Sequence, residues 1–158
     1  IIAITMAKQL SNCQVTAIDL SSAALAVAKR NAQQHAVDDR VTFVEGDLLT
    51  ACERHAPFDL ILSNPPYVSN AEFEQLDKSV REYEPETALV AGPDGSEVIV
   101  RLLEQAQEQV ADDGFVVLEF SPMLAEKLTN WLSGAWKTPH VSKDLAGHPR
   151  IITLQKKN

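Results

Sequence analysis

Cysteine is scarce, and its placement excludes a metal centre of the usual kind. Cys13 and Cys52 are widely spaced and have no histidine or cysteine neighbour at metal-ligand spacing, so they read as free thiols, buried or half-buried, in a reducing cytoplasm. The four histidines, His35, His55, His140 and His148, show no paired spacing and no serine or cysteine companion of the kind a nucleophilic triad needs. They are read as surface or capping residues. No apolar stretch approaches membrane-spanning length, and there is no cluster of Lys and Arg. With 14 basic against 22 acidic side chains the formal net charge is −8, which argues against a tight, sequence-independent grip on a phosphate backbone. There is no internal repeat, no low-complexity tract and no glycine-rich phosphate turn. Ile1 to Ala7 lack an initiator Met, a cap and a signal-peptide pattern, so they read as the interior of a helix with more chain expected upstream.

What is present is an ordinary globular composition, 45% hydrophobic and 23% charged, in 158 residues, which suits one soluble domain with a substantial core. Strand and helix patterns alternate along it. Gln14 to Ile18 reads as a strand ending at Asp19, with Ser21-Ser22 as a helix cap. Ala23 to His35 places Leu25, Ala28 and Ala32 on one helical face, and Asp38-Asp39 marks its end. Val41 to Glu45 alternates as a strand and runs into Gly46-Asp47, with a short helix to His55. Phe58 to Ser63 is the next strand. Val68 to Gly95 has weak periodicity and reads as a long functional loop.

Ser96 then caps an amphipathic helix whose apolar face is Val98, Leu102, Ala106 and Val110, stopped by Asp113-Gly114. Phe115 to Phe120 has the continuous apolar character of a strand covered on both faces. Pro122 opens a helix through Trp131-Leu132, where Trp131 and Trp136 are expected to pack, and His140–Lys143 with Ile151–Leu154 forms a closing hairpin. The order predicts an α/β three-layer sandwich with a mostly parallel sheet.

The most informative residues are Asn64-Pro65-Pro66-Tyr67, directly after the Phe58–Ser63 strand. Pro65 and Pro66 lack N–H groups and restrict φ, so the loop is stiff and rich in acceptors. The Asn64 side-chain carbonyl and the Pro65 carbonyl together match the two hydrogens of a planar –NH₂ group. Such a nitrogen is a weak nucleophile because its lone pair is delocalised. Its alkylation needs alignment and stabilisation of developing positive charge, which preorganised acceptors supply. Tyr67 offers a flat wall to the planar group. The tetrapeptide by itself is equally a rigid turn. Its position decides for a site, since ligands in open α/β sheets collect beyond the carboxyl ends of the strands.

Two acidic residues sit at comparable strand ends. Asp19 is placed to accept from ribose hydroxyls, a reading preferred to a helix cap. Asp47 is placed to accept from an adenine amine or to serve as a turn aspartate after Gly46, and the two readings stand level. Either a dinucleotide or an adenosyl sulfonium cofactor would be served, because the glycine-rich turn that discriminates them would lie ahead of Ile1.

With Asn64-Pro65-Pro66-Tyr67-Val68, Asp19, Gly46-Asp47-Leu48, the stretch Tyr83-Glu84-Pro85-Glu86-Thr87-Ala88-Leu89, Gly92-Pro93-Asp94-Gly95 and Asp144-Leu145-Ala146-Gly147 with Arg150, the chain resembles the class I S-adenosyl-L-methionine-dependent methyltransferases, and among them the HemK/PrmC protein-(glutamine-N5) methyltransferases. The resemblance covers nearly all 158 residues as one catalytic domain of Rossmann-like fold. It implies methyl transfer from S-adenosyl-L-methionine to the glutamine amide in the Gly-Gly-Gln motif of a peptide-chain release factor, with no metal. By the same resemblance Asn64 and Pro65 hold the amide, Pro66 and Tyr67 complete the substrate pocket, and Asp19 binds ribose. Asp47 or the Leu48 backbone meets adenine, and Asn64 borders the cofactor.

The family's first strand, its glycine-rich turn and its amino-terminal helical domain would precede Ile1. Because that strand belongs in the middle of the sheet, residues 1–158 are expected to fold poorly alone. An adenine-N6 methyltransferase acting on DNA or RNA shares the Asn-Pro-Pro-Tyr loop and is the alternative, disfavoured by the acidic charge. A ribosomal-protein glutamine methyltransferase is a second alternative, and a cofactor-binding module without activity a third. Glu84 and Glu119 are minor candidates for a base, and Arg150 is expected to pair with Asp144 across the hairpin.

Overall fold

A computed structural model describes residues 1–132 and 134–157, and the chain divides into two compact units, Ile1–Pro57 and Phe58–Asn158. In the first, α1 (Ile2–Gln9), β1 (Val15–Asp19), α2 (Ser22–Gln34) and β2 (Val41–Glu45) precede a 3-10 helix over Thr50–His55. This is the order the residue pattern predicts. β1 and β2 pair in parallel with Asp19 opposite Glu45, so both strands end level. The core is small: Ile4, Ala7, Ala32, Val37 and Val41, with Val15, Ala17 and Phe43 half-buried against it. Ser21 caps α2, its hydroxyl accepting the Ala24 N–H at 3.1 Å. Leu25 and Ala32 are buried and Ala28 half-buried, as the helical face requires. Ala36 adopts φ 52°, a left-handed turn that ends the helix ahead of Asp38-Asp39. The Arg40 guanidinium donates to the carbonyls of Ala7 and Leu10 at 2.5 and 3.1 Å, at the C-terminal end of α1 and its cap.

The second unit runs β3 (Phe58–Ser63), β4 (Val68–Ser69), α3 (Asn70–Phe73), α4 (Lys78–Tyr83), α5 (Glu86–Leu89), β5 (Val90–Gly92), α6 (Glu97–Gln109) and β6 (Val110–Glu119). A 3-10 turn at Pro122–Leu124, α7 (Ala125–Trp131), β7 (His140–Lys143) and β8 (Pro149–Gln155) complete it. Its main sheet has the order β3-β6-β8-β7, with β3 and β6 parallel and the closing hairpin antiparallel. Val116, Leu118, Phe120, Ile152 and Leu154 are at most 1% exposed and form its buried face. Trp136 is buried and Trp131 half-buried, as expected of packing residues.

Four expectations are corrected. The Val68–Gly95 stretch is not an unstructured loop. It holds the parallel β4–β5 pair and three short helices, which are too short to carry a readable period. The first of them is fixed by a capping box between Ser69 and Glu72. The buried face of α6 is Ile99, Leu102, Leu103 and Ala106, an i, i+3, i+4, i+7 set at 0–2% exposure, while Val98 is only half-buried and Val110 already belongs to β6. Ser96 stands at its N-cap without a side-chain cap bond.

Asp113-Gly114 does not stop that helix, because Val110 is already extended at φ −80° and ψ 140°. The pair lies instead in an irregularity of β6, where pairing shifts from Phe58–Val110 to Leu60–Phe115 and Asp113 has φ 60°. A side chain at Gly114 would sit 2.8 Å from the Ala111 carbonyl oxygen, so glycine is required there. Finally, β6 is not buried on both faces. Phe115 is 41% exposed while Val116 and Leu118 are fully buried, the alternation of a strand covered on one side.

Candidate active site

β3 delivers Asn64 to Tyr67 at its carboxyl end. Pro65 is buried and holds the loop down, whereas Asn64 is exposed and, among the described residues, no hydrogen bond takes up its side-chain amide. The loop's exit is pinned as well as its entry. Val68 pairs with Val90 and Ser69 with Gly92, tying the Tyr83–Leu89 and Gly92–Gly95 segments to the Asn-Pro-Pro-Tyr residues. Gly95, at φ 78°, lies so close that a Cβ there would be 2.7 Å from the Tyr67 carbonyl oxygen. Glycine is obligatory at that crossing. The acceptor groups therefore sit on a rigid frame with their lone pairs uncommitted.

Tyr67 is oriented by residues distant in sequence. Its hydroxyl donates to Glu119 Oε1 at 3.1 Å, and the Arg150 charge acts on the same phenol. Arg150 Nε in turn donates to Asp144 Oδ2 at 3.4 Å, the expected pair across the hairpin. Asp144 Oδ1 accepts the N–H groups of Ala146 and His148, each at 2.9 Å. Burial first, then the Glu119 carboxylate, pushes the Tyr67 phenol above its ordinary value, with Arg150 acting in the opposite sense. Tyr67 is thus a neutral donor. The bond between the phenol and Glu119 was not found from the sequence. The available signal was position, since Glu119 follows Leu118, which pairs with Ser63 at the loop's root. Glu84 is an exposed C-cap residue of α4. Beside Tyr67 lies a cleft of about 410 Å³ lined by Ser69, Asp94, Met123 and Lys127, in which Lys127 donates to Asp94 at 2.6 Å.

In the first unit, the structure brings Asp19 together with Gly46-Asp47-Leu48: the Gly46 N–H donates to the Asp19 carbonyl at 3.1 Å. Asp19 Oδ1 accepts the Ser21 N–H at 2.8 Å, which leaves Oδ2 of this exposed carboxylate for a further donor. The capping and ribose readings of Asp19 are therefore compatible. A Cβ at Gly46 would collide with Ala51 at 2.1 Å. Leu48 holds φ 52°, a costly conformation for leucine that turns its backbone away from the strand direction. The half-buried Asp47 carbonyl accepts the Thr50 hydroxyl at 2.7 Å. This acidic turn with a strained backbone suits a ligand that offers hydroxyl and amine donors. Among the described residues, no group of three or more His, Cys, Asp or Glu is placed to hold a metal, and no helix is long and apolar enough to cross a membrane.

Residues 1–82 match the Methyltransferase small domain family. The chain belongs to this methyltransferase family. The methyltransferase chain is also 45% identical over 157 residues to the release factor glutamine methyltransferase of Rhodopirellula baltica, covering 98% of this chain and 53% of that protein. It is 41% identical over 146 residues to the protein of the same name from Chlorobaculum tepidum, covering 90% of this chain and 49% of the relative. The methyltransferase chain spans about half the length of the curated relatives it matches. A solved methyltransferase from Pyrococcus furiosus superposes with a TM-score of 0.68 at 21% identity, over 98% of this chain and 68% of that one. That likeness establishes the fold: the α/β class expected from the alternation of strands and helices, in the Rossmann-like form that the resemblance implies.

Proposed function

We propose that residues 1–158 act as one catalytic domain that transfers a methyl group from S-adenosyl-L-methionine to the glutamine side-chain amide in the Gly-Gly-Gln motif of a peptide-chain release factor. The observation that carries this reading is the Asn64–Tyr67 loop, exposed at Asn64, buried at Pro65 and pinned at both ends. The names of the similar proteins from Rhodopirellula baltica and Chlorobaculum tepidum support the same acceptor.

The bound cofactor supplies an electrophilic methyl on a sulfonium. Asn64 Oδ1 and the Pro65 carbonyl accept the two amide hydrogens, hold the nitrogen in one orientation, and stabilise the positive charge that grows on it. Pro66 and the Tyr67 ring wall the planar group. No strong base is required, because the amide proton becomes acidic only as the nitrogen gains its fourth bond and leaves afterwards. Asp19 Oδ2 would accept from the ribose hydroxyls, and Asp47 with the Leu48 backbone would hold the adenine; the family resemblance assigns Asn64 a cofactor contact as well.

The direct test incubates the full-length protein with labelled S-adenosyl-L-methionine and, in separate reactions, a release factor, ribosomal proteins and adenine-containing DNA or RNA, then locates the label by mass spectrometry. Label on the Gly-Gly-Gln glutamine is expected. Label on adenine or on a ribosomal-protein glutamine would replace the proposed acceptor, and absence of transfer with retained cofactor binding would remove the catalytic reading.

A further inference from the structure

We propose that Glu119 is a positioning residue: from β6 its carboxylate clamps the Tyr67 hydroxyl and so sets the wall of the acceptor pocket. This rests on the proposed role of the Asn64–Tyr67 loop. Tyr67 donates to Glu119 Oε1 at 3.1 Å across 52 residues of sequence. Arg150, whose charge acts on the same phenol, donates through Nε to Asp144 Oδ2 at 3.4 Å. Asp144 is itself fixed by the Ala146 and His148 N–H groups at 2.9 Å.

The clamp is set by the sheet. Glu119 pairs with Ile151, the neighbour of Arg150, and the Phe120 N–H donates to the Arg150 carbonyl at 3.0 Å. The backbones of Glu119 and Arg150 are therefore held relative to each other by β6–β8 pairing. A tyrosine ring beside an open cleft has other rotamers available, and only one of them presents the ring as a wall. The Glu119 acceptor selects that rotamer because the phenol donates to it. Glu119 therefore need not touch the acceptor amide to matter for its alkylation.

The test uses the full-length protein with a release factor as methyl acceptor and ring-¹³C tyrosine NMR, with Tyr67→Phe assigning the Tyr67 signal. Glu119→Ala and Tyr67→Phe are each expected to lower kcat/KM by about tenfold, the scale of one lost hydrogen bond to a charged group. The double variant is expected to be no worse than either single one. Glu119→Gln keeps an acceptor oxygen and should restore most of the activity that Glu119→Ala loses, while lowering the Tyr67 pKa by removing the carboxylate charge. Arg150→Ala should raise that pKa. Losses that multiply in the double variant, or a Tyr67 titration unmoved by both Glu119→Gln and Arg150→Ala, would overturn the clamp. The ring titration needs no methyl acceptor, so a wild-type protein inert toward the release factor would sink the proposed acceptor while the clamp is still decided.

Discussion

Two of the parallel strand pairs of this chain, β1–β2 and β3–β6, are built alike and buried very differently. β1 and β2 form a two-stranded sheet whose residues are mostly half-buried, and the core beside them rests on two alanines, two valines and Ile4. β3 and β6 belong to a four-stranded sheet in which Val116, Leu118 and Leu154 are fully buried. An isolated two-stranded pair is marginal in water, whereas three or more strands with an apolar face sustain themselves. Each pair ends in a candidate loop, Gly46–Leu48 after β2 and Asn64–Tyr67 after β3. The turn assigned to the cofactor thus stands on the thinner support, and the loop assigned to the acceptor on the thicker. Positioning demands differ in the same direction, since a weak nucleophile needs closer orientation than a nucleoside held by hydroxyl contacts.

The sharpest way to break this division of labour is by mutation of one loop at a time. Asn64→Ala should lower kcat on the order of 10²-fold, the scale of a lost preorganised hydrogen-bonding group, while the affinity for S-adenosyl-L-methionine measured by calorimetry changes little. Asp19→Ala should do the reverse, weakening cofactor binding with the acceptor KM nearly unchanged. Lost cofactor affinity with preserved methylation in Asn64→Ala would undo the assignment.

The difference in burial predicts a difference in stability. Leu118→Ala, at a fully buried site, should cost about 2–5 kcal/mol in urea unfolding of the full-length protein, whereas Val15→Ala at a half-buried site should cost about 1 kcal/mol. Equal costs would show that the thin sheet is as firmly packed as the thick one. Ser21→Ala removes the hydroxyl that accepts the Ala24 N–H and should cost about 1 kcal/mol, restored in part by Ser21→Asn.

The smallest expected effect is at acid pH and belongs to the hairpin. The His148 N–H chiefly, with the Ala146 N–H and the Arg150 guanidinium, holds the Asp144 carboxyl below its ordinary value of 3.8. A carboxyl lowered in the folded state contributes stability that is present above 3.8 and lost as pH falls through its folded value. Asp144→Asn should therefore flatten the stability curve below that pH and leave its neutral region nearly level. An unchanged acid limb in Asp144→Asn would show that Asp144 titrates alike in the folded and unfolded chain.

Local patterns made much of the fold legible. The strand at Phe58–Ser63, the cap at Ser21, the turn at Gly46 and the hairpin from His140 each follow from residues adjacent in sequence, and so does the position of Asn64-Pro65-Pro66-Tyr67 at a strand end. The face of α6 was misjudged by one residue because Val98 and Ile99 are chemically equivalent, and only packing shows which one is buried. β4 and β5 escaped detection because two- and three-residue strands have no period.

The sequence by itself determined the chemistry of the candidate loop: prolines without N–H groups, an asparagine carbonyl and an aromatic ring are properties of residue types and need no fold to specify them. Tertiary structure alone decided what stands behind that loop. Glu119 lies 52 residues beyond Tyr67, so only strand pairing brings its carboxylate to that phenol, with Arg150 beside it across the β6–β8 register. Such a contact follows from strand pairing and loop closure, whose energies are sums over many residues, and no single position in the chain encodes it.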